Sequence, residues 1–329
     1  MPSIYAIACR LALGTLVALH AAAPVHAADT YPDRPIRLIV PFPPGGGTDM
    51  FGRVVAEQLG AEYGWSVVVE NRPGAGGNIG VQAAAQAKPD GYTIVLGQTS
   101  NLAINPTLYG NLPYSPMQDL QPIVLVADSP VVLATSADAK LGSLEDAMAR
   151  ARKQPGSVSF GFSGNGTVSH LAAAFLQNEG AVKFTLVPYK GAANAMTDLM
   201  ADRIDVYASS VPTLLGYVRD KKLRAIGVTS RKRIAVLPDT PALAETRGLE
   251  RFEAITWFGL LAPAGTPQDI VDKLNRAVNH VLASKKVIDR FAVEGSNALG
   301  GTPDAFKKRL ADDTALWAQV IHDGNIKAN

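Results

Sequence analysis

Glycines, hydroxyls and an amide cluster at two points of this chain in an order suited to holding an anion. Pro44-Gly45-Gly46-Gly47-Thr48 follows the apolar run Ile36–Val40 and opens a helical pattern over Thr48–Leu59. A strand that turns through glycines into a helix presents free backbone N–H groups at the positive end of the helix dipole. The glycines leave no Cβ between that backbone and a bound group. The second stretch, Ser163-Gly164-Asn165-Gly166-Thr167, lies between the strand-like Val158–Phe162 and a helical pattern over Thr167–Asn178. There the side chains of Ser163, Asn165 and Thr167 add donors to the backbone amides. Two such loops facing each other could each hold one carboxylate without an arginine, because charge-assisted hydrogen bonds are worth about 1.5–3 kcal/mol each. A single loop of this kind is explained by turn and cap chemistry. Two at matching positions point to a ligand.

The same residues serve other chemistries poorly. Gly161-Phe162-Ser163-Gly164-Asn165 lacks the closing glycine of a nucleophile elbow, and His170 falls on the following helix. A secreted serine hydrolase using Ser163 and His170 is therefore the weaker alternative. Gly74-Ala75-Gly76-Gly77-Asn78-Ile79-Gly80 is dinucleotide-like, but Ile79 stands in the third glycine's place, and the chain has no Gly-Lys dipeptide for a phosphate loop. His280 and His322 lie in separate helical stretches, and Cys9 is the only cysteine, so no metal cluster, disulfide or cofactor site is expected. Asp49 reads as a carboxylate at a helix start, stabilising the dipole or capping rather than touching an anion, which leaves Thr48 as the better contact. Lys190 reads as a solvated loop charge, and Trp257 and Phe258 as packing around a hinge.

Strand-like and helix-like segments alternate along the chain, which predicts an α/β protein with parallel sheets covered by helices. Strands are expected at Ile36–Val40, Ser66–Glu70, Thr93–Gly97, Ile123–Ala127, Val131–Thr135, Val158–Phe162, Phe184–Pro188, Ile204–Ala208, Leu223–Thr229 and Ile255–Ala262. Ser143 is the expected N-cap of a helix ending at Lys153, and long helices are expected at Gln268–Ala283 and Pro303–His322. Two domains are expected, one from residues 28–127 and 258–329 and one from 128–257. Two crossovers between them would make a hinge, with a ligand cleft between the halves. Residues 1–27 read as a signal peptide: Arg10, the apolar run Leu11–Leu19 and the ending Val25-His26-Ala27, with cleavage after Ala27 and a periplasmic product. The near balance of 31 basic against 29 acidic side chains argues against nucleic acid or an anionic membrane as partner.

From Tyr31 onward the chain resembles the Bug-type solute-binding proteins of the tripartite tricarboxylate transporter systems. The resemblance rests on Tyr31-Pro32-Asp33-Arg34-Pro35-Ile36, Pro44–Asp49, Val69–Gly80, Ala103-Ile104-Asn105-Pro106, Ser163–Thr167, Val187–Gly191 and Trp257–Pro267. It implies a periplasmic two-domain flytrap, a monomer without a cofactor. Such a protein captures a small organic acid or related polar solute and hands it to membrane permease subunits, or alternatively to a sensor. Glycine loops of both domains would hold the solute. One stretch departs from the family pattern: Tyr207-Ala208-Ser209-Ser210-Val211-Pro212 lacks the aspartate often found there, which leaves a neutral wall and disfavours an amino acid as ligand. The expected ligand-binding set is Pro44, Gly45, Gly46, Gly47, Thr48, Asn101, Ser163, Gly164, Asn165, Gly166, Thr167, Ser209 and Ser210, with no catalytic residue.

Overall fold

The computed structural model describes residues 31–327. The expected leader and its cleavage site lie outside the described residues. Among those described, no helix is long and apolar enough to cross a membrane.

The chain opens with the expected alternation: β1 (Ile36–Val40), α1 (Gly47–Tyr63), β2 (Val67–Asn71), α2 (Asn78–Ala85) and β3 (Thr93–Gln98). β1 pairs in parallel with both β2 and β3. Ile36, Leu38, Ile39 and Val40 are all buried, as expected of a strand covered on both faces. The apolar face of α1 packs Phe51 against Phe258 and Phe291, with ring centroids 4.6 and 4.8 Å apart. After β3 comes a π-helical turn, Ser100–Ile104, then the short helices α3 (Asn105–Tyr109) and α4 (Pro116–Asp119).

The two strands expected around Asp128-Ser129-Pro130 form one strand, β4 (Leu120–Ser136). Up to Pro130 it pairs antiparallel with β9 (Ile255–Pro263). From Val131 onward it pairs antiparallel with β7 (Val206–Ser210) and β8 (Leu223–Val228). Pro130 sits where the ladder changes partners, a place where a missing N–H is tolerated. The first sheet runs β2-β1-β3-β9-β4, with β10 (Asn297–Ala298) on β4. In the second sheet β5 (Ser159–Phe162) pairs in parallel with β6 (Thr185–Pro188) and β7. Each sheet is therefore parallel in its strands away from β4, β2-β1-β3 in the first and β7-β5-β6 in the second, and antiparallel around β4, because the chain enters the second half on β4 and leaves it beside β4. β9 lies within the first sheet, and the return connection is the segment between β8 and β9. Thr229, at its start, ties the two connections together: its Oγ1 accepts from Val131 N (2.8 Å) and donates to Ala254 O (2.5 Å).

Four helices flank the second sheet: α5 (Leu144–Lys153), α6 (Val168–Glu179), α7 (Ala192–Met200) and α8 (Val211–Arg219). Ser143 caps α5 as expected, its Oγ accepting from Asp146 N at 3.1 Å. The chain ends in α9 (Gln268–Leu282), α10 (Lys285–Ala292) and α11 (Pro303–Asp323). One apolar cluster spans both halves, with Trp317 and Ile321 of α11 in the same core as Leu171 and Leu176 of α6. Trp257 and Phe258 are buried, and the Trp257 indole donates to Asp313 Oδ2 at 2.5 Å.

Candidate ligand-binding cleft

The β1–α1 loop begins at exposed Pro44 and Gly45 and dips inward at Gly47 and Thr48, which are buried. Gly45 has φ +83°, a conformation open to glycine. Gly46 is the N-cap of α1 with extended backbone and no side-chain cap, so the amides of Gly46, Gly47 and Thr48 find no acceptor inside the helix. The Gly45 amide is used within the loop and donates to Asp49 Oδ2 at 3.0 Å. The same carboxylate accepts from Arg53 Nε and Asn71 Nδ2, each at 2.9 Å. Burial on its own would raise the Asp49 pKa. The hydrogen bonds from Arg53, Gly45 and Asn71 outweigh it and hold the carboxyl below its usual range. Asp49 therefore stays ionised, pinning the loop to α1 and β2. Its Arg53 partner was visible in the i,i+4 spacing; Asn71 was not.

Asn101 sits in the π-helical turn, fully buried. Its Oδ1 accepts from Gln98 N at 3.0 Å, and its Nδ2 has no partner among the described residues. That nitrogen lies against Gly77, beside the Phe42 ring. Gln98 links it to the first loop, because Thr48 Oγ1 donates to Gln98 Oε1 at 3.4 Å.

The loop between β5 and α6 is capped by Thr167, whose Oγ1 accepts from His170 N at 3.3 Å and donates to Gly164 O at 2.7 Å. Gly164 and Gly166 have φ +113° and +75°. Three of the loop's amides are used internally: Ser163 N donates to Ser169 Oγ (3.2 Å), Gly166 N to His170 Nδ1 (3.3 Å) and Thr167 N to Gly164 O (3.3 Å). The His170 ring stacks on Phe162, centroids 4.7 Å apart, and burial pushes its pKa down to about 4. Ser163 Oγ instead meets Ser209 Oγ at 2.9 Å and Tyr207 Oη at 3.0 Å. A neutral histidine with its Nδ1 taken by an amide, and a serine turned to other hydroxyls, do not form a nucleophile–base pair. Burial raises the Tyr207 pKa, against smaller lowering contributions from Ser163 and Ser209, so the phenol keeps its proton and can donate. Sequence reasoning missed Tyr207, although period-2 alternation puts it on the same face of β7 as Ser209.

Ser210, the residue before α8, bonds Thr213 Oγ1 at 2.9 Å. A Cβ on Gly47 would lie 3.1 Å from Ser210 Oγ, so the start of α1 in one half touches the start of α8 in the other. The structure thus brings Gly47 of one half against Ser210 of the other, and Ser163 against Ser209 and Tyr207 within the second half. Asn101 belongs to the first half and is linked to Thr48 through Gln98. Lys190 is exposed. Among the described residues no group of three or more His, Cys, Asp or Glu side chains could hold a metal ion.

Residues 51–326 match the model of the tripartite tricarboxylate transporter family receptor. The chain is 40% identical over 307 residues to Protein BugT of Bordetella pertussis, covering 93% of this chain and 94% of that one. Its fold is similar to that of Rpa4515 from R. palustris, solved with adipate, with TM-score 0.86, 32% identity, and coverage of 90% of this chain and 99% of that one. The periplasmic binding protein BugD gives TM-score 0.84 at 34% identity, over 90% of this chain and 99% of its own. Two helix starts that meet across a two-domain α/β frame, and a Ser163 and His170 that do not pair, agree with these matches: the chain belongs to the tripartite tricarboxylate transporter receptor family of periplasmic solute-binding proteins, which bind solutes and are not enzymes.

Proposed function

We propose that this protein captures a small carboxylate-bearing solute between the Pro44–Thr48 and Ser163–Thr167 loops, with Ser209, Ser210 and Asn101 completing the wall, and delivers it to membrane permease subunits. The halves built from residues 28–127 with 258–329, and from 128–257, would close about the two connections tied by Thr229. Closure is a population shift, favoured by ligand because only the closed form brings both loops to it. The export signal through Ala27 would place the mature chain in the periplasm.

The observation that carries this reading is the contact of the α1 start with the α8 start, next to the Ser163–Ser209–Tyr207 hydroxyl group. Helix starts attract anions, and hydroxyls can donate to a carboxylate. The one acid in the first loop, Asp49, is neutralised by Arg53 rather than turned toward a ligand. The adipate bound to the structurally similar Rpa4515 is a solute of the chemistry this cleft suits. Titration calorimetry and thermal shift with adipate, succinate and malate test the reading. A ligand at 100 times its Kd should add about 2.7 kcal/mol of stability. Absence of heat and of any shift with every carboxylate tried, in folded protein, refutes it.

A further inference from the structure

Two motifs remain outside the cleft contacts just described: the glycine run Gly74–Gly80 and Ala103-Ile104-Asn105-Pro106. Both press on the Ser163–Thr167 loop from the opposite half. A Cβ on Gly76 would lie 3.0 Å from Asn165 O, and a side chain on Gly166 would overlap Asn105. Glycine is thus required on both sides of this seam, for space as well as for the positive φ of Gly76 and Gly166.

The seam is polar. Tyr109 Oη donates to Asn165 O at 3.4 Å. The amide orientation of Asn105 that satisfies its surroundings points its nitrogen at Gly166 O (3.1 Å) and Ser100 O (3.3 Å). Asn105 is itself fully buried; in this orientation its oxygen faces the Asn78 amide at 2.7 Å, so the Asn78 amide turns with it to present its nitrogen. A peptide group is planar, with its C=O and N–H pointing opposite ways, so holding both ends fixes its plane. The Asn165–Gly166 peptide has its carbonyl on Tyr109 and its N–H on His170 Nδ1. The Gly166–Thr167 peptide has its carbonyl on Asn105 and its N–H on Gly164 O at 3.3 Å. In each case one end is held by the loop's own half and the other by the opposite half.

We propose that Asn105 and Tyr109 are positioning residues that set the shape of the Ser163–Thr167 loop from across the cleft, so that the loop is ready for ligand only when the halves are together. This deepens the function proposed above and rests on that loop being a ligand contact. It gives closure a second effect: besides bringing the loops near the solute, it completes one of them. Ligand affinity and closure are then coupled through two carbonyl bonds that touch no solute.

The test uses Tyr109→Phe, which removes one half-buried hydroxyl, and Asn105→Ala, which removes the amide facing Gly166 O. Hydrogen exchange of the Gly166 and Thr167 amides is measured in ligand-free protein, with adipate dissociation followed by stopped flow. Loss of one net hydrogen bond should speed exchange at these two amides roughly 5-fold or more, and speed adipate release by a similar factor with association little changed. The urea midpoint of Tyr109→Phe should stay at the wild-type value. Unchanged Gly166 and Thr167 exchange in both folded variants overturns the proposal, as does a uniform rise in exchange across the chain, the mark of a purely structural seam. The exchange arm needs no ligand, so its failure is distinct from a failure to bind carboxylates.

Discussion

Gly47 offers the sharpest perturbation of closure. It is the first residue of α1, its φ is negative, and a Cβ there would meet Ser210 Oγ at 3.1 Å and Phe51 Cε2 at 3.8 Å. The first distance is tighter than ordinary contact; the second is not. Gly47→Ala should therefore leave the ligand-free fold intact or stabilise it by about 0.4–1 kcal/mol through the unfolded chain's lost freedom. The crowding arises only where the halves meet, so its cost falls on closure and hence on binding. Overpacking of this kind costs about 1–3 kcal/mol, which corresponds to roughly 5- to 150-fold in affinity, with Gly47→Ala at the low end and Gly47→Val at the high end. Gly46 is the internal control: its φ is −88° and a Cβ there would meet only Pro43 O, at 3.9 Å, so Gly46→Ala should bind almost as wild type. The assay is titration calorimetry with adipate on Gly47→Ala, Ser210→Ala and the double variant. Removing Ser210 Oγ removes the obstacle, so Gly47→Ala should cost much less in that background, a coupling measured directly by the cycle. An equal loss in both backgrounds, or wild-type affinity in Gly47→Val, would refute the claim that this contact gates the cleft.

Three further outcomes follow from the same geometry. Ser163→Ala should weaken adipate binding by removing the shared partner of Ser209 and Tyr207, while wild type and variant alike show no turnover of ester substrates; Ser163-dependent ester cleavage would contradict the binding-protein assignment. Succinate should bind more tightly than aspartate, and glutarate than glutamate, because Ala208-Ser209-Ser210 holds no carboxylate and Asp49 is paired; calorimetry showing the reverse order, abolished in Asp49→Asn, would mean that Asp49 leaves Arg53 for an ammonium group. His170 has its folded pKa pushed down to about 4 from an ordinary 6.5, so the unfolded chain takes up the proton first. Stability is then fully present above pH 6.5 and falls as pH drops from 6.5 toward 4, by roughly 3 kcal/mol at most. His170→Asn should flatten that part of a urea-midpoint-against-pH curve, and an unchanged slope would show that other groups carry it.

How far the sequence could be read depended on the range of the interaction. Local signals held up: Ser143 and Thr167 cap the helices that their positions and side chains suggest, and the glycine loops lie between the strands and helices that flank them in sequence. Asp128-Ser129-Pro130 misled for a local reason. It carries the composition of a turn, yet the ladder passes through it because β9 on one side and β7 and β8 on the other hold the backbone extended, an instance of tertiary pairing overriding propensity. The partner of Pro130 is Ile255, and no local window contains both. The amide inventory of the second loop failed similarly. Composition suggested a row of free N–H donors, whereas Ser169 and His170 take two of them, and only the helix that follows brings those acceptors back over the loop.

These internal bonds change what the second loop can offer a solute. With the Ser163, Gly166 and Thr167 amides used internally, donation from that half shifts toward hydroxyls: Ser163 and Ser209, and through them Tyr207. A hydroxyl rotates to donate or accept, whereas a backbone amide only donates. A wall of amides alone would select for negative charge. A wall of hydroxyls beside helix starts still favours an anion at one end of the solute, yet it can equally meet a neutral oxygen at the other. Since Asp49 withdraws the first loop's carboxylate from the exchange, choice among solutes in this cleft should rest on length and on the pattern of acceptors rather than on total charge.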